Sequence, residues 1–165
     1  DAEIAIGVGI PGGGTNTVRI GTAGGTATLG LDGSDTSWAA ASDVRLKKDI
    51  LDSTAGLAFV NELRPVTFKW NNKDAIDSTL PQYDADDSAP VFGEGNAHHG
   101  FIAQEVKAVI DNNPDVVNGH NIWQQDPDGT QQVAPSALVP MLVKAIQEQS
   151  ALIEALTARI ETLEG

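Results

Sequence analysis

Residues 139–165 carry the strictest pattern in the chain. Val139, Ile146, Ile153 and Ile160 fall seven apart, and Leu142, Gln149, Leu156 and Leu163 each follow three positions later. A repeat of this kind makes an α-helix with a continuous a/d seam, which some other surface has to cover. Gln149 is the one polar layer in it. β-branched residues at a with leucine at d favour two strands, whereas Ala145 and Leu152 at the g positions widen the apolar face. Two strands, three strands and a terminal helix packed on its own domain all fit the pattern.

At 165 residues, 41% of them hydrophobic, the chain has material for one ordinary core and an appendage rather than two large domains. Composition places the appendage at the start. Residues 1–41 hold ten of the seventeen glycines and a single basic side chain, Arg19. The alternating runs Thr17-Val18-Arg19-Ile20 and Thr26-Ala27-Thr28-Leu29-Gly30-Leu31 read as short strands between turns. Large apolar side chains are too few there for a private core, so the segment is expected to order against copies of itself.

From Ser42 the texture becomes globular. Ser53 to Leu63 predicts a short capped helix stopped by Arg64-Pro65, and Val66-Thr67-Phe68-Lys69-Trp70 predicts a strand. No Lys or Arg occurs from Asp74 to His98, a prolonged acidic excursion among prolines and glycines. Phe101 to Ile110 has helical spacing and ends at Asn112-Asn113-Pro114. Ile122-Trp123-Gln124 and Gln131-Gln132-Val133 flank Asp126-Pro127-Asp128-Gly129, the signature of a hairpin.

A net charge of −13 argues against nucleic acid and anionic lipid as partners, because affinity for both comes from Lys and Arg neutralising phosphates. No apolar run is long enough for a membrane span, and Asp1 to Gly14 has no signal-peptide pattern. The absence of cysteine removes disulfides, thiolate zinc sites and cysteine nucleophiles. His98 and His99 near Glu94 invite a metal reading, but neighbouring residues of a strand point to opposite faces, and His120 is distant in sequence. Asp84-Ala85-Asp86-Asp87 lacks the glycine and bidentate glutamate of a calcium loop. No metal or cofactor is therefore expected, and no phosphate-binding glycine fingerprint or G-x-S-x-G elbow is present.

One pair of residues can do covalent chemistry. Ser42 and Lys47 flank the composition boundary in Ser42-Asp43-Val44-Arg45-Leu46-Lys47-Lys48-Asp49-Ile50, and a neutral lysine can act as general base to a serine nucleophile. Arg45 and Lys48 would favour the neutral amine, while Asp43 and Asp49 act in the opposite direction. Five residues put the two side chains on opposite faces of a strand and about 140° apart on a helix. A bend between them is required. On spacing alone, a linker serine before a solvated charged strand is the plainer reading.

The segment Ser42 to Ile50, then Leu63-Arg64-Pro65-Val66-Thr67-Phe68-Lys69-Trp70, His99-Gly100-Phe101-Ile102-Ala103-Gln104-Glu105-Val106, Pro114-Asp115-Val116-Val117 and Leu138 to Glu148 occur in an order shared with one family. From Ser42 to about Glu164 the chain resembles the C-terminal intramolecular chaperone domain of phage endosialidase tailspikes, tail fibres and neck appendages, found also in myelin regulatory factor.

The resemblance implies an α+β homotrimer. Residues 1–41 would be the end of a β-structured stalk, 42–138 a small globular chaperone and autoprotease domain, and 139–165 its coiled-coil helix, with Leu142, Ile146, Gln149, Ile153, Leu156, Ile160 and Leu163 in the trimer seam. It further implies self-cleavage at the junction Ala41, Ser42 and Asp43, with Ser42 as nucleophile, Lys47 as base and Lys48 as the rival base. The family's protruding arms map by position onto 74–98 and the hairpin at Asp128-Gly129. The partners implied are the chain's own copies and its upstream stalk, with a host glycan reached through the parent fibre. The setting implied is a virion fibre precursor processed in the host cytoplasm, from which the chaperone domain is released. Two other readings stay open: a non-cleaving trimerisation cap, and a carbohydrate-binding fibre tip.

Overall fold

A computed structural model describes residues 3–33, 37–116 and 122–165; Val117 and His120 lie outside them. The chain divides into two compact units, Asp1–Leu51 and Asp52–Gly165.

In the first unit, β1 (Glu3–Val8), β2 (Thr17–Thr22), β3 (Gly25–Gly30) and β4 (Ala39–Ala40) form one sheet in that order. β1 and β2 run parallel, and the other two pairings are antiparallel. The short return from β1 to β2 is held by side chains. The Gly13 N–H donates to Glu3, and the Arg19 guanidinium donates to the carbonyls of Pro11 at 3.0 Å and Gly12 at 3.3 Å. Gly7 and Gly21 face each other across the parallel pair with φ of 142° and 152°. A Cβ on Gly7 would lie 1.9 Å from the Gly21 carbonyl oxygen, so only glycine lets the strands approach this closely.

None of the described residues in this unit is buried. Ile4, Ile6, Val8 and Ile20 stay exposed, as expected of strands with too few large side chains to close a core.

The second unit has a core. It is built from α1 (Leu57–Glu62), β5 (Val66–Phe68), β6 (His98–Gly100), α2 (Ala103–Asn112), β7 (Trp123–Gln125), β8 (Gln131–Val133) and α3 (Val139–Glu164). Phe59, Val106, Val116, Ile122, Leu138 and Met141 are buried together with Ala55. Each large side chain contributes on the order of 1.5–3 kcal/mol by leaving water. β5 and β6 pair antiparallel, as do β7 and β8 around the Asp126–Gly129 turn, where Gly129 supplies a φ of 90°. Asn113 ends α2, its side-chain amide donating to the Val109 carbonyl at 2.8 Å.

α1 is shorter than its sequence predicts. It begins at Leu57 rather than near Ser53, because its cap is tertiary. Gly56 offers no side chain, and the Leu57 N–H donates instead to the Glu148 carboxylate of α3 at 2.7 Å. Lys144, one turn earlier, holds that carboxylate at 3.4 Å. A Cβ on Gly56 would sit 2.3 Å from a Glu148 oxygen, so the glycine clears the approach of α3.

The acidic excursion leaves β5 and returns into β6. Its fold centres on Lys73, the last cation before the acidic run. The ammonium pairs with Asp87 at 2.6 Å, and the Lys73 backbone bonds Ala89 and Asp84. Trp70 meets Phe92 edge-on at 4.8 Å and Phe68 at 5.2 Å, closing the base of the loop.

α3 packs its first turns on its own unit through Met141 and Ala145, a face distinct from the a/d seam. Thus Ala145 serves the domain core, while Leu142, Ile146, Ile153, Leu156, Ile160 and Leu163 are each 43% exposed or more. From Gln149 onward every residue of the helix is exposed.

The Leu57 N–H pulls the Glu148 pKa below the ordinary glutamate value, and Lys144 acts in the same sense. A depressed carboxyl pKa adds stability above the unfolded value and loses it as pH falls through the folded one. Glu148→Gln is therefore expected to flatten the acid limb of a thermal-stability profile, and Gly56→Ala to lower the melting temperature by several degrees, the scale on which a lost helix cap registers in such a domain.

Candidate functional site

The junction segment is built by a carboxylate. Asp43 precedes a single 3-10 turn, Val44–Leu46, and its Oδ1 accepts the Arg45 backbone N–H at 2.9 Å. The same carboxylate grips the Arg45 guanidinium, with Nε on Oδ1 at 3.0 Å and a terminal nitrogen on Oδ2 at 2.6 Å. The Leu46 N–H returns to the Asp43 carbonyl at 3.0 Å and the Lys47 N–H to the Val44 carbonyl at 3.1 Å. At Lys47 the backbone becomes extended.

This turn is the bend that the five-residue spacing requires. It carries Lys47 back toward Ser42, and the Lys47 ammonium donates to Ser42 Oγ at 2.7 Å. Among the described residues, Lys48 makes no hydrogen bond to Ser42. A single 3-10 turn between the extended residues Asp43 and Lys47 folds the chain back on itself, which neither a straight strand nor a continuing helix would do.

The Arg45 guanidinium is paired with the Asp43 carboxylate at 2.6 Å. The pairing lowers the Asp43 pKa and raises that of Arg45, the side-chain hydrogen bond between them being the first cause of both. Arg45 thus acts through turn geometry.

On the N-terminal side, Ala41 follows directly on β4, whose Ala39 and Ala40 pair with Thr28 and Ala27. The junction therefore has a strand on one side and the clasped turn on the other. Ala41, Ser42, Asp43, Lys47 and Lys48 are all exposed. Around them Val44, Leu46, Ile50 and Leu51 leave 65% or more of their surface in solvent. Asp49 adopts a positive φ of 52°, which turns the chain after the lysines.

The histidine pair is not gathered into a site. His98 lies in β6 with its ring 5.7 Å from Phe68, whereas its neighbour His99 is exposed. Among the described residues no group of three His, Asp or Glu side chains is assembled to hold a metal ion. The Asp84–Asp87 loop instead caps its own backbone and pairs with Lys73. Among them too, no helix is long and apolar enough to cross a membrane.

A serine–lysine contact at a strand end is thus followed in the chain by a mixed α+β unit that ends in a long helix. Residues 42–118 match the family model Peptidase_S74, chaperone of endosialidase, a match that supports the intramolecular chaperone domain family for this segment. The match begins at Ser42 and ends before the β7–β8 hairpin and α3. A comparison with curated proteins finds no match.

The Asp43 clasp was not legible as such, although Asp two residues before an amide donor at a chain turn is a known capping signal. Asp43→Ala is expected to open the turn and slow any reaction of Ser42 by about tenfold or more, through loss of positioning. Asp43→Asn, which keeps one acceptor for the Arg45 N–H, should fall between; time courses on denaturing gels read both.

Proposed function

We propose that the chain is an intramolecular chaperone that assembles as a trimer, aligns the stalk strands preceding it, and then severs itself from them. The observation that supports this reading best is the 2.7 Å contact of Lys47 on Ser42 at the first residue of the family match. In the reaction the contact reverses direction. A neutral Lys47 accepts the Ser42 hydroxyl proton as Oγ attacks the Ala41 carbonyl. The C–N bond between Ala41 and Ser42 breaks, the Ser42 nitrogen takes up the proton, and an ester joins Ala41 to Ser42 Oγ. Water then cleaves the ester, leaving a carboxylate on Ala41 and a free amine and hydroxyl on Ser42.

The exposure of the dyad gives assembly a role. The apolar rim of Val44, Leu46, Ile50 and Leu51 is ready to be covered by neighbouring chains, and covering it would desolvate the amine. The uncovered seam of α3 supplies the drive for that assembly.

The biological logic is entropic. Strands that pair between chains need three chains in register before any contact compensates the loss of freedom, and a trimeric nucleus raises their local concentration. Cutting afterwards removes the route back, so the product is kinetically stable. The setting proposed is a phage tail fibre or tailspike precursor in the host cytoplasm. Were the dyad silent, the same seam would make the domain a non-cleaving trimerisation cap.

Three variants decide between these. Ser42→Ala and Lys47→Ala should remain full length on denaturing gels, while Lys48→Ala should yield a fragment boundary next to Ser42. The cut should accelerate as pH rises and stop in acid, since the base must be unprotonated. If Lys48→Ala alone blocks the cut, the base is Lys48.

Light scattering of the parent should report three chains. Ile153→Ala or Leu156→Ala should weaken the assembly by about 2–5 kcal/mol per seam side chain buried. A monomeric parent at micromolar concentration contradicts the reading.

A further inference from the structure

We propose that strand β3 is the substrate-holding strand of the self-cleavage reaction, with the Thr28–Ala39 pair as the anchor for the acyl side of the cut bond. The inference rests on the reading that Ser42 attacks Ala41.

The register of the sheet identifies the anchor. β2 and β3 join through the two residues Ala23 and Gly24, so that Thr22 faces Gly25. In a hairpin with a two-residue loop the flanking pair exchanges both N–H···O bonds, and bonded and non-bonded pairs alternate from there. Gly25, Ala27 and Leu29 therefore turn their backbone groups toward β2, and Thr26, Thr28 and Gly30 turn theirs toward the other edge. Of the two β3–β4 pairs, Ala27↔Ala40 and Thr28↔Ala39, the second is the one that exchanges two hydrogen bonds. Ala40 directs its N–H away from β3.

The chemistry needs such an anchor. The Asp43–Arg45 clasp places Ser42 Oγ against Lys47, but it fixes only the nucleophile and its base. Attack on the preceding carbonyl also requires the acyl chain to be held, and a misplaced reacting group forfeits a large part of the proximity advantage. Ala39 holds that chain two residues before Ala41, as an edge strand accepts an added peptide in β-augmentation.

Two consequences follow. The anchor exists only when β3 has its place in the sheet, so cleavage becomes conditional on a folded stalk end. After the cut, Ala39 stays paired with Thr28, and the new carboxyl terminus at Ala41 leaves with the sheet.

The test uses proline, which lacks the N–H, at three positions in the full chain. Ala39→Pro removes the hydrogen bond to the Thr28 carbonyl, and Thr28→Pro removes the reciprocal bond from a residue far from the cut. Ala40→Pro removes an N–H that faces away from β3, a change edge strands tolerate. Rates are read as fragment formed on denaturing gels, per molecule retaining the parental circular dichroism, with Ser42→Ala as the uncut reference. Ala39→Pro and Thr28→Pro are expected to cut about tenfold more slowly than the parent, the scale of one lost hydrogen bond, and Ala40→Pro within about threefold of it. Equal rates in all variants, or an Ala40→Pro as slow as Ala39→Pro, would overturn the anchor while leaving Ser42 as nucleophile. A parent that never cuts overturns both.

Discussion

Apolar cover is unevenly available along this chain, and most of its architecture can be traced to that constraint. Between Ala55 and Ala145 the large side chains are dense enough to close a core around Phe59, Val106 and Met141. On either side they are not. The N-terminal sheet buries none of its described residues, and α3 projects beyond Gln149 with every side chain exposed. A helix of that length without a partner surface is marginal in water, because helical stability comes largely from packing an amphipathic face. Its isoleucines and leucines nevertheless keep a heptad repeat, and its own unit leaves that seam uncovered.

Glu148 links those two roles of α3. It sits one residue before the polar layer at Gln149, yet its carboxylate caps α1 through the Leu57 N–H. The helix therefore has two separate working faces. Met141, Ala145 and Glu148 fix its rotation against the globular core, and that rotation determines which way the seam faces. Gly56 is part of the arrangement, since any side chain there would meet the carboxylate.

The junction shows a similar division of labour on a smaller scale. Asp43 forms a turn by gripping Arg45, and the turn brings Lys47 to Ser42. A charged pair that looked like competing electrostatic influences is a mechanical clasp. Its exposure makes the ion pair weak as a source of stability, but its two-point geometry is suited to holding a short segment in one shape.

Sequence alone determined what depends on neighbours a few residues apart. The heptad positions of α3, the strands at Thr17 and Thr26, the hairpin around Asp128-Gly129, the stop of α2 at Asn113 and the need for a bend between Ser42 and Lys47 all follow from local periodicity and turn chemistry. Tertiary structure decided what depends on residues far apart: the start of α1, capped by a carboxylate ninety-one positions away; the capture of Lys73 by Asp87; the parallel pairing of β1 with β2; and the use of Ala145 in the core rather than the seam. The Asp43 clasp is local in sequence, yet which lysine it delivers depended on the dihedral angles of one turn. Periodicity registers which face of an element is apolar, but it holds no information on which distant group will satisfy an orphaned N–H or charge, because that is fixed only when packing has closed the intervening chain.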